Sequence, residues 1–211
     1  MGKHTKNRYD ECYAKILLEG VFGELYADLS IKDKPDLFSE KLQLGIEVTS
    51  IIPKSLREAQ ENWVKAYNTN NNDIRKKSIE RMGQLGYEYT GGTQAWIRIN
   101  KDPMVDESVL SDIQSAVSKK IKKMNSGQYR IFDNMDLYIK AMMSLMNNGV
   151  EGIFNVLKAA NEGNVYFRNI IVNIVEDNKL VLFDMTNFQY EIRSFDDKQS
   201  DYSIKACEIM N

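Results

Sequence analysis

Histidine is almost missing from this chain: His4, the one residue of its type, lies in the polar opening stretch MGKHTKNRYD. Ser-His-Asp and Cys-His mechanisms, HExxH zinc sites and His-metal nucleases all need histidine inside the fold. An enzyme built from this sequence must therefore work with carboxylates, lysines, hydroxyls or a borrowed metal. The two cysteines, Cys12 and Cys207, stand near opposite ends and give neither a disulfide framework nor a metal knuckle. A reducing, cytoplasmic setting is the expectation that follows. No apolar run approaches the length of a membrane span, and no hydrophobic segment marks the opening residues as a secretory signal, so no membrane role is expected.

With 211 residues the chain can form one sizeable core, and no linker, repeat or low-complexity tail divides it. Apolar residues at helical spacing predict a helix from Tyr9 to about Glu24, with Gly20 and Gly23 where it loosens and ends. Tyr26 to Ile31 reads as a short strand or irregular approach, and Pro35 predicts an extended backbone at Lys34. Leu42 to Thr49 reads as a strand. Ser55 with Glu58 resembles a capping box opening a helix through Trp63 and Tyr67. A second helix is expected from about Asp73 to Leu85, a short strand over Ala95 to Ile99, and a long helix after Pro103 through Ile121. Leu137 to Met142 reads as a strand, Gly149 to Ala160 as a helix, and Ile170 to Val175 and Leu180 to Phe183 as two strands joined at Asp177-Asn178. Alternating elements of this kind predict an α/β fold over residues 1–211: a single domain with a central mixed β-sheet flanked by helices.

The strand GIEVTS raises the functional question. Glu47 sits among Gly45, Ile46, Val48, Ile51 and Ile52, and a carboxylate among β-branched neighbours needs a compensating partner. Glu47 and Thr49 share a face of the strand, and the preceding chain can bring Asp36 alongside. Two converging carboxylates repel unless a cation lies between them, and Mg²⁺ suits one or two carboxylates plus waters and phosphates. The Val48 carbonyl could add an oxygen. The plainer alternatives are a structural ion pair for Glu47 with one Lys or Arg, a turn or cap role for Asp36, and surface pairing of Glu11 with Lys15 four positions on.

The arrangement Pro35-Asp36, an interval, then Glu47-Val48-Thr49 resembles the signature of the PD-(D/E)XK nuclease superfamily, which includes restriction endonucleases and Holliday-junction resolvases. The resemblance covers about residues 9–67. It implies a metal-dependent nuclease that hydrolyses DNA phosphodiester bonds in defence or DNA processing, with DNA ranked above RNA. Asp36 and Glu47, with the Val48 carbonyl, would bind Mg²⁺ or Mn²⁺. The preceding helix carries Glu11 and Glu19, of which Glu11 would add the helix carboxylate of such sites, and Gln60 would be the site-facing glutamine of the following helix. Thr49 occupies the position where the family carries its catalytic Lys, so the charge must come from elsewhere; Lys34, Lys41, Lys54 and Lys65 are near in sequence. The alternative is a nuclease-fold module that has lost catalysis and binds DNA or a protein partner.

The net charge of −2 advertises no polyanion partner for the average surface. Local runs differ: Lys119, Lys120, Lys122 and Lys123, with Arg130 beyond, and Arg75, Lys76, Lys77 and Arg81. Such runs are commonly solvated helix faces, yet a basic helix facing a carboxylate cleft would suit a phosphate backbone. A homodimer would suit cleavage of both strands.

Overall fold

A computed structural model describes residues 3–89, 98–99, 107–127, 130–145, 149–195 and 198–210. Hydrophobic periodicity and strand pairing together arrange them as an α/β fold. Helix α1 (Lys3–Phe22) leads through a 3₁₀ turn (Gly23–Tyr26) to three strands, β1 (Ser30–Ile31), β2 (Leu37–Ser39) and β3 (Leu44–Ile51). Helices α2 (Lys54–Asn68) and α3 (Asn72–Gln84) and the short pair β4 (Tyr87–Glu88) and β5 (Arg98–Ile99) follow. Then come α4 (Glu107–Met124), β6 (Asn134–Ala141), α5 (Gly149–Ala160), β7 (Asn169–Ile174), β8 (Lys179–Asp184), β9 (Gln189–Ser194) and α6 (Gln199–Met210).

Seven strands form one mixed sheet in the order β1-β2-β3-β6-β7-β8-β9. Strands β3, β6 and β7 run parallel, joined by crossovers that contain α4 and α5, and the flanking strands pair antiparallel. Helices α4 and α5 cover one face, packing Ile113, Val117 and Leu157 over Leu137, Ile139 and Val172. Helices α1 and α6 cover the other, where Leu17, Leu18 and Ala206 meet Ile46, Tyr138 and Ile171. Burial on both faces explains why β7 is buried at all six positions and apolar at four of them, Ile170, Ile171, Val172 and Ile174, instead of alternating. Among the described residues no helix is long and apolar enough to cross a membrane.

Several local expectations are corrected. Pro35 does not hold Lys34 extended: Lys34 takes a φ of 60° and the Lys34–Pro35 peptide is cis. The chain doubles back there, with Lys32 N–H donating to the Asp36 carbonyl at 3.0 Å. Ser55 does not cap α2; Pro53 holds that position without a side-chain bond, and Glu58 instead accepts from Arg81 at 2.7 Å. The strand expected over Leu137 to Met142 begins earlier, at Asn134, and lies between β3 and β7 at the centre of the sheet. Residues 95–97 of the expected short strand, and Pro103, fall outside the described residues. Strand β9 and helix α6 are additions to the expected elements: β9 is exposed almost throughout and offers no buried run to read.

Gly20 has a packing reason. The Tyr202 ring of α6 lies so close that a β-carbon at position 20 would fall 2.6 Å from it, so a glycine lets α1 and α6 meet. On the other side of Ile46, Asp136 is fully buried, yet it accepts from Tyr26 OH at 2.9 Å, from Asn169 N–H at 3.1 Å and from Arg168 at 3.3 Å. These donors satisfy Asp136 within the fold, so it serves as a structural tie between β6, β7 and the 3₁₀ turn.

Candidate functional site

Register places the two motif carboxylates together. Leu37 pairs with Ile46, so continuing the β2–β3 ladder sets Asp36 opposite Glu47. Asp36 Oδ2 accepts the Val48 N–H at 2.7 Å, which shows that Val48 turns its backbone groups toward the edge that β2 has just vacated. N–H and C=O of one strand residue point the same way, so the Val48 carbonyl faces that edge too.

The partner of Glu47 comes from α4. Lys120 Nζ donates to Glu47 Oε2 at 2.6 Å and lies 3.4 Å from Asp36 Oδ2, bridging both carboxylates. Glu47 is 1% exposed, and its other oxygen, Oε1, is buried with no hydrogen-bond partner among the described residues. Burial raises the Glu47 pKa above the ordinary glutamate value; Lys120 opposes this and the Asp36 charge adds to it.

These groups open into a cleft of about 550 Å³ whose walls include Glu11, Lys34, Asp36, Glu47, Thr49 and Lys123. Glu11 therefore shares the cleft with the carboxylate pair, half-buried on α1. Lys15 pairs with Glu19 and not with Glu11, and Glu19 also takes the Leu29 N–H at 3.0 Å, so Glu19 braces the end of α1. Asp10, which the sequence does not single out, lines the same cleft and accepts from Lys140 at 2.8 Å and Ser50 Oγ at 2.6 Å. Its weak signal is position alone, one residue before Glu11 on the same helix.

A second cleft of about 480 Å³ joins the first through Thr49, Ser50, Lys120 and Lys123 and continues along α4 past Lys119 and Lys122. Arg57 of α2 stands in its wall, along with Ser115 and Asp112. Gln60 does not take part: it is exposed on α2, one turn beyond Arg57, and lines neither cleft. Of the four lysines near the motif in sequence, Lys34 lines the carboxylate cleft; Lys41 pairs with Asp28 at 3.5 Å, and Lys54 and Lys65 are exposed on α2. Arg130 also lies apart, held by both carboxylate oxygens of Glu40 at 2.8 and 2.9 Å. In the other basic run, Arg75 ties down the end of α2 through the Ala66 and Thr69 carbonyls, and Arg81 holds Glu58.

The donor set fits a hard divalent cation that keeps much of its water. Two adjacent carboxylates, one with an unpartnered buried oxygen, and a backbone carbonyl on the same edge are the ligands Mg²⁺ and Mn²⁺ accept alongside phosphate. No three His, Cys, Asp or Glu side chains among the described residues gather closely enough to hold a metal by themselves. The remaining coordination would fall to water and substrate. Comparison with known proteins gives no family: no family model matches the chain, and no curated protein or solved structure matches it.

Proposed function

We propose that this chain is a divalent-metal-dependent nuclease acting on DNA phosphodiester bonds, built on the PD-(D/E)XK plan. The observation that carries the reading is the meeting of Asp36, Glu47 and Lys120 at the junction of an acidic cleft with a lysine-lined one. Asp36 and Glu47, with the Val48 carbonyl, would hold Mg²⁺ or Mn²⁺. When bound, such an ion supplies Lewis acidity that lowers the pKa of water and neutralises charge on a phosphodiester. The protein's own groups do the rest. Lys120 stands on the Thr49 side of the strand and brings the ammonium that Thr49 lacks; with a phosphate in the cleft it donates to a non-bridging oxygen and stabilises charge as it develops. Lys119, Lys122 and Lys123 line the path for the neighbouring phosphates, a contact that favours polynucleotides without reading their sequence.

A second reading has its own support. Lys120 already bridges the two carboxylates and offsets one of their charges, as it would in a chain that keeps the fold as a DNA- or protein-binding module and no longer cuts. The two readings part in a calorimetric titration of Mn²⁺ into the wild type, Asp36→Asn and Glu47→Gln, each repeated with a short non-cleavable duplex, followed by cleavage assays on DNA and RNA. The nuclease reading expects Mn²⁺ binding that both substitutions abolish, together with cleavage that needs the metal. Salt-sensitive duplex binding with neither metal uptake nor cleavage would leave the binding module instead.

A further inference from the structure

The two edges of the seven-stranded sheet are unlike. Strand β1 is two residues long, a blunt edge that offers little to pair with. Strand β9 is six residues long, pairs among the described residues only with β8, and contains neither the Pro nor the Lys that commonly protects an exposed edge. It also presents Tyr190 and Ile192 at 44% and 46% exposure.

The ladder fixes which groups that edge offers. Phe195 N–H donates to the Asn178 carbonyl at 3.0 Å, and this pair continues the β8–β9 register in which Lys179 faces Ser194. Hydrogen-bonded and non-hydrogen-bonded pairs alternate along an antiparallel ladder, so Arg193, Glu191 and Gln189 spend their backbone groups on β8. Tyr190 and Ile192 then turn their N–H and C=O groups outward.

We infer that β9 is a self-pairing edge, and that a second copy of this chain adds its own β9 antiparallel, with Ile192 opposite Ile192 of the other copy. In this register Ile192 exchanges both backbone bonds with its counterpart. Glu191 falls opposite Arg193 of the second copy, in the closely spaced non-hydrogen-bonded position, and the two-fold axis makes that contact twice. The side chains are available, at 53% exposure for Glu191 and 39% for Arg193, and they already bond each other at 2.6 Å within one chain. Registers shifted by one step in phase set Glu191 against Glu191 or Arg193 against Arg193. Like charges directly opposite are unfavourable, so charge and backbone phase select the same alignment. This inference does not rest on the nuclease reading.

Sedimentation velocity on the full chain over a wide concentration range tests it. The wild type is expected at the mass of two chains, and Glu191→Arg at the mass of one, because it sets two arginines face to face. The double variant Glu191→Arg/Arg193→Glu restores the complement and is expected to return to two chains. Arg193 also touches the Val21 carbonyl and the Phe22 ring, so a second readout keeps the register testable if the swap disturbs β9. In a Cys207→Ser background, Ile192→Cys is expected to form an interchain disulfide on mild oxidation, since the opposed α-carbons of a hydrogen-bonded pair, about 5.5 Å apart, lie within disulfide range. Glu191→Cys in the same background, at a position that does not meet its own copy in this register, is expected to stay reduced. A wild type of one-chain mass at every concentration overturns the inference, as does a two-chain mass that Glu191→Arg leaves unchanged. Failure of both the swap and the Ile192→Cys crosslink overturns the register.

Discussion

Lys120 Nζ lies 2.6 Å from Glu47 Oε2 although the two residues are 73 positions apart in the chain. The contact exists because α4 packs across β3 and turns its last basic turns toward the strand's buried carboxylate. A charge pair so little exposed, 17% for Lys120 and 1% for Glu47, is a poor source of stability by itself, since desolvating both ions offsets much of their attraction. Under the nuclease reading proposed above, its placement beside Asp36 and an unpartnered Glu47 oxygen gives it another use, as the site of phosphate and metal chemistry.

Lys120→Met keeps the volume of the stem and removes the ammonium. Under the nuclease reading, cleavage should fall by about 10²–10³-fold, the usual cost of removing one donor aimed at developing charge. Mn²⁺ uptake in the same variant should persist, because Asp36 and Glu47 remain. Loss of metal binding together with cleavage would instead make Lys120 a support for the carboxylates.

The raised Glu47 pKa predicts a pH signature in stability. The folded chain holds a proton on Glu47 more tightly than the unfolded chain does. That contribution is fully present below the unfolded glutamate pKa and is lost as pH rises through the higher folded value. Glu47→Gln removes this dependence, so the melting temperature of the variant minus that of the wild type should increase as pH climbs from the acidic carboxylate range to neutrality. Calorimetry at matched pH values measures it; a constant or shrinking difference would contradict the assignment.

Binding of a DNA duplex should weaken as salt rises. Lys119→Ala and Lys122→Ala should each lower the slope of log K against log[salt] by about 0.9 if each lysine meets one phosphate. Lys54→Ala, on the exposed side of α2 away from both clefts, should leave the slope unchanged. Equal slopes for all three variants in fluorescence anisotropy would remove the lysine-lined cleft as the path of the strand.

Gly45→Ala tests how the site is packed from below. A β-carbon there would lie 2.8 Å from Met135 Sδ and 2.9 Å from both Phe132 and Pro35. Overpacking of this kind costs about 1–3 kcal/mol, and a domain of this size loses about 2–4 °C per kcal/mol. Because Pro35 precedes Asp36, the same change should reduce Mn²⁺ affinity. An unchanged melting temperature would mean that Met135 and Phe132 yield freely.

Much of the architecture is readable because the signal is local. Leu42 to Thr49 and Leu137 to Met142 alternate or run apolar as strands must, and Gly149 to Ala160 carries its helical stripe in its own residues, so these elements stand within a few positions of where the pattern puts them. The capping of α2 is not legible in this way, because Pro53 and Ser55 compete for one role and the outcome depends on where Glu58 finds Arg81. The turn at Lys34 departs from expectation because steric rules for the residue before proline describe an average, whereas here the bond from Lys32 to the Asp36 carbonyl closes the loop. Strand β9 gives no local signal because an edge strand with one partner need not be apolar.

Sequence alone determined that a carboxylate, Glu47, would sit in a buried strand and require a compensating partner. That requirement follows from the cost of ionising a group away from water, whatever the rest of the chain does. It also determined that histidine could not provide the chemistry. Only the tertiary structure decided that the cation at hand is Lys120, that Glu11 shares the cleft and that Gln60 does not. Those outcomes depend on how α4 crosses β3 and which way α2 turns after Pro53, and packing between distant segments sets both.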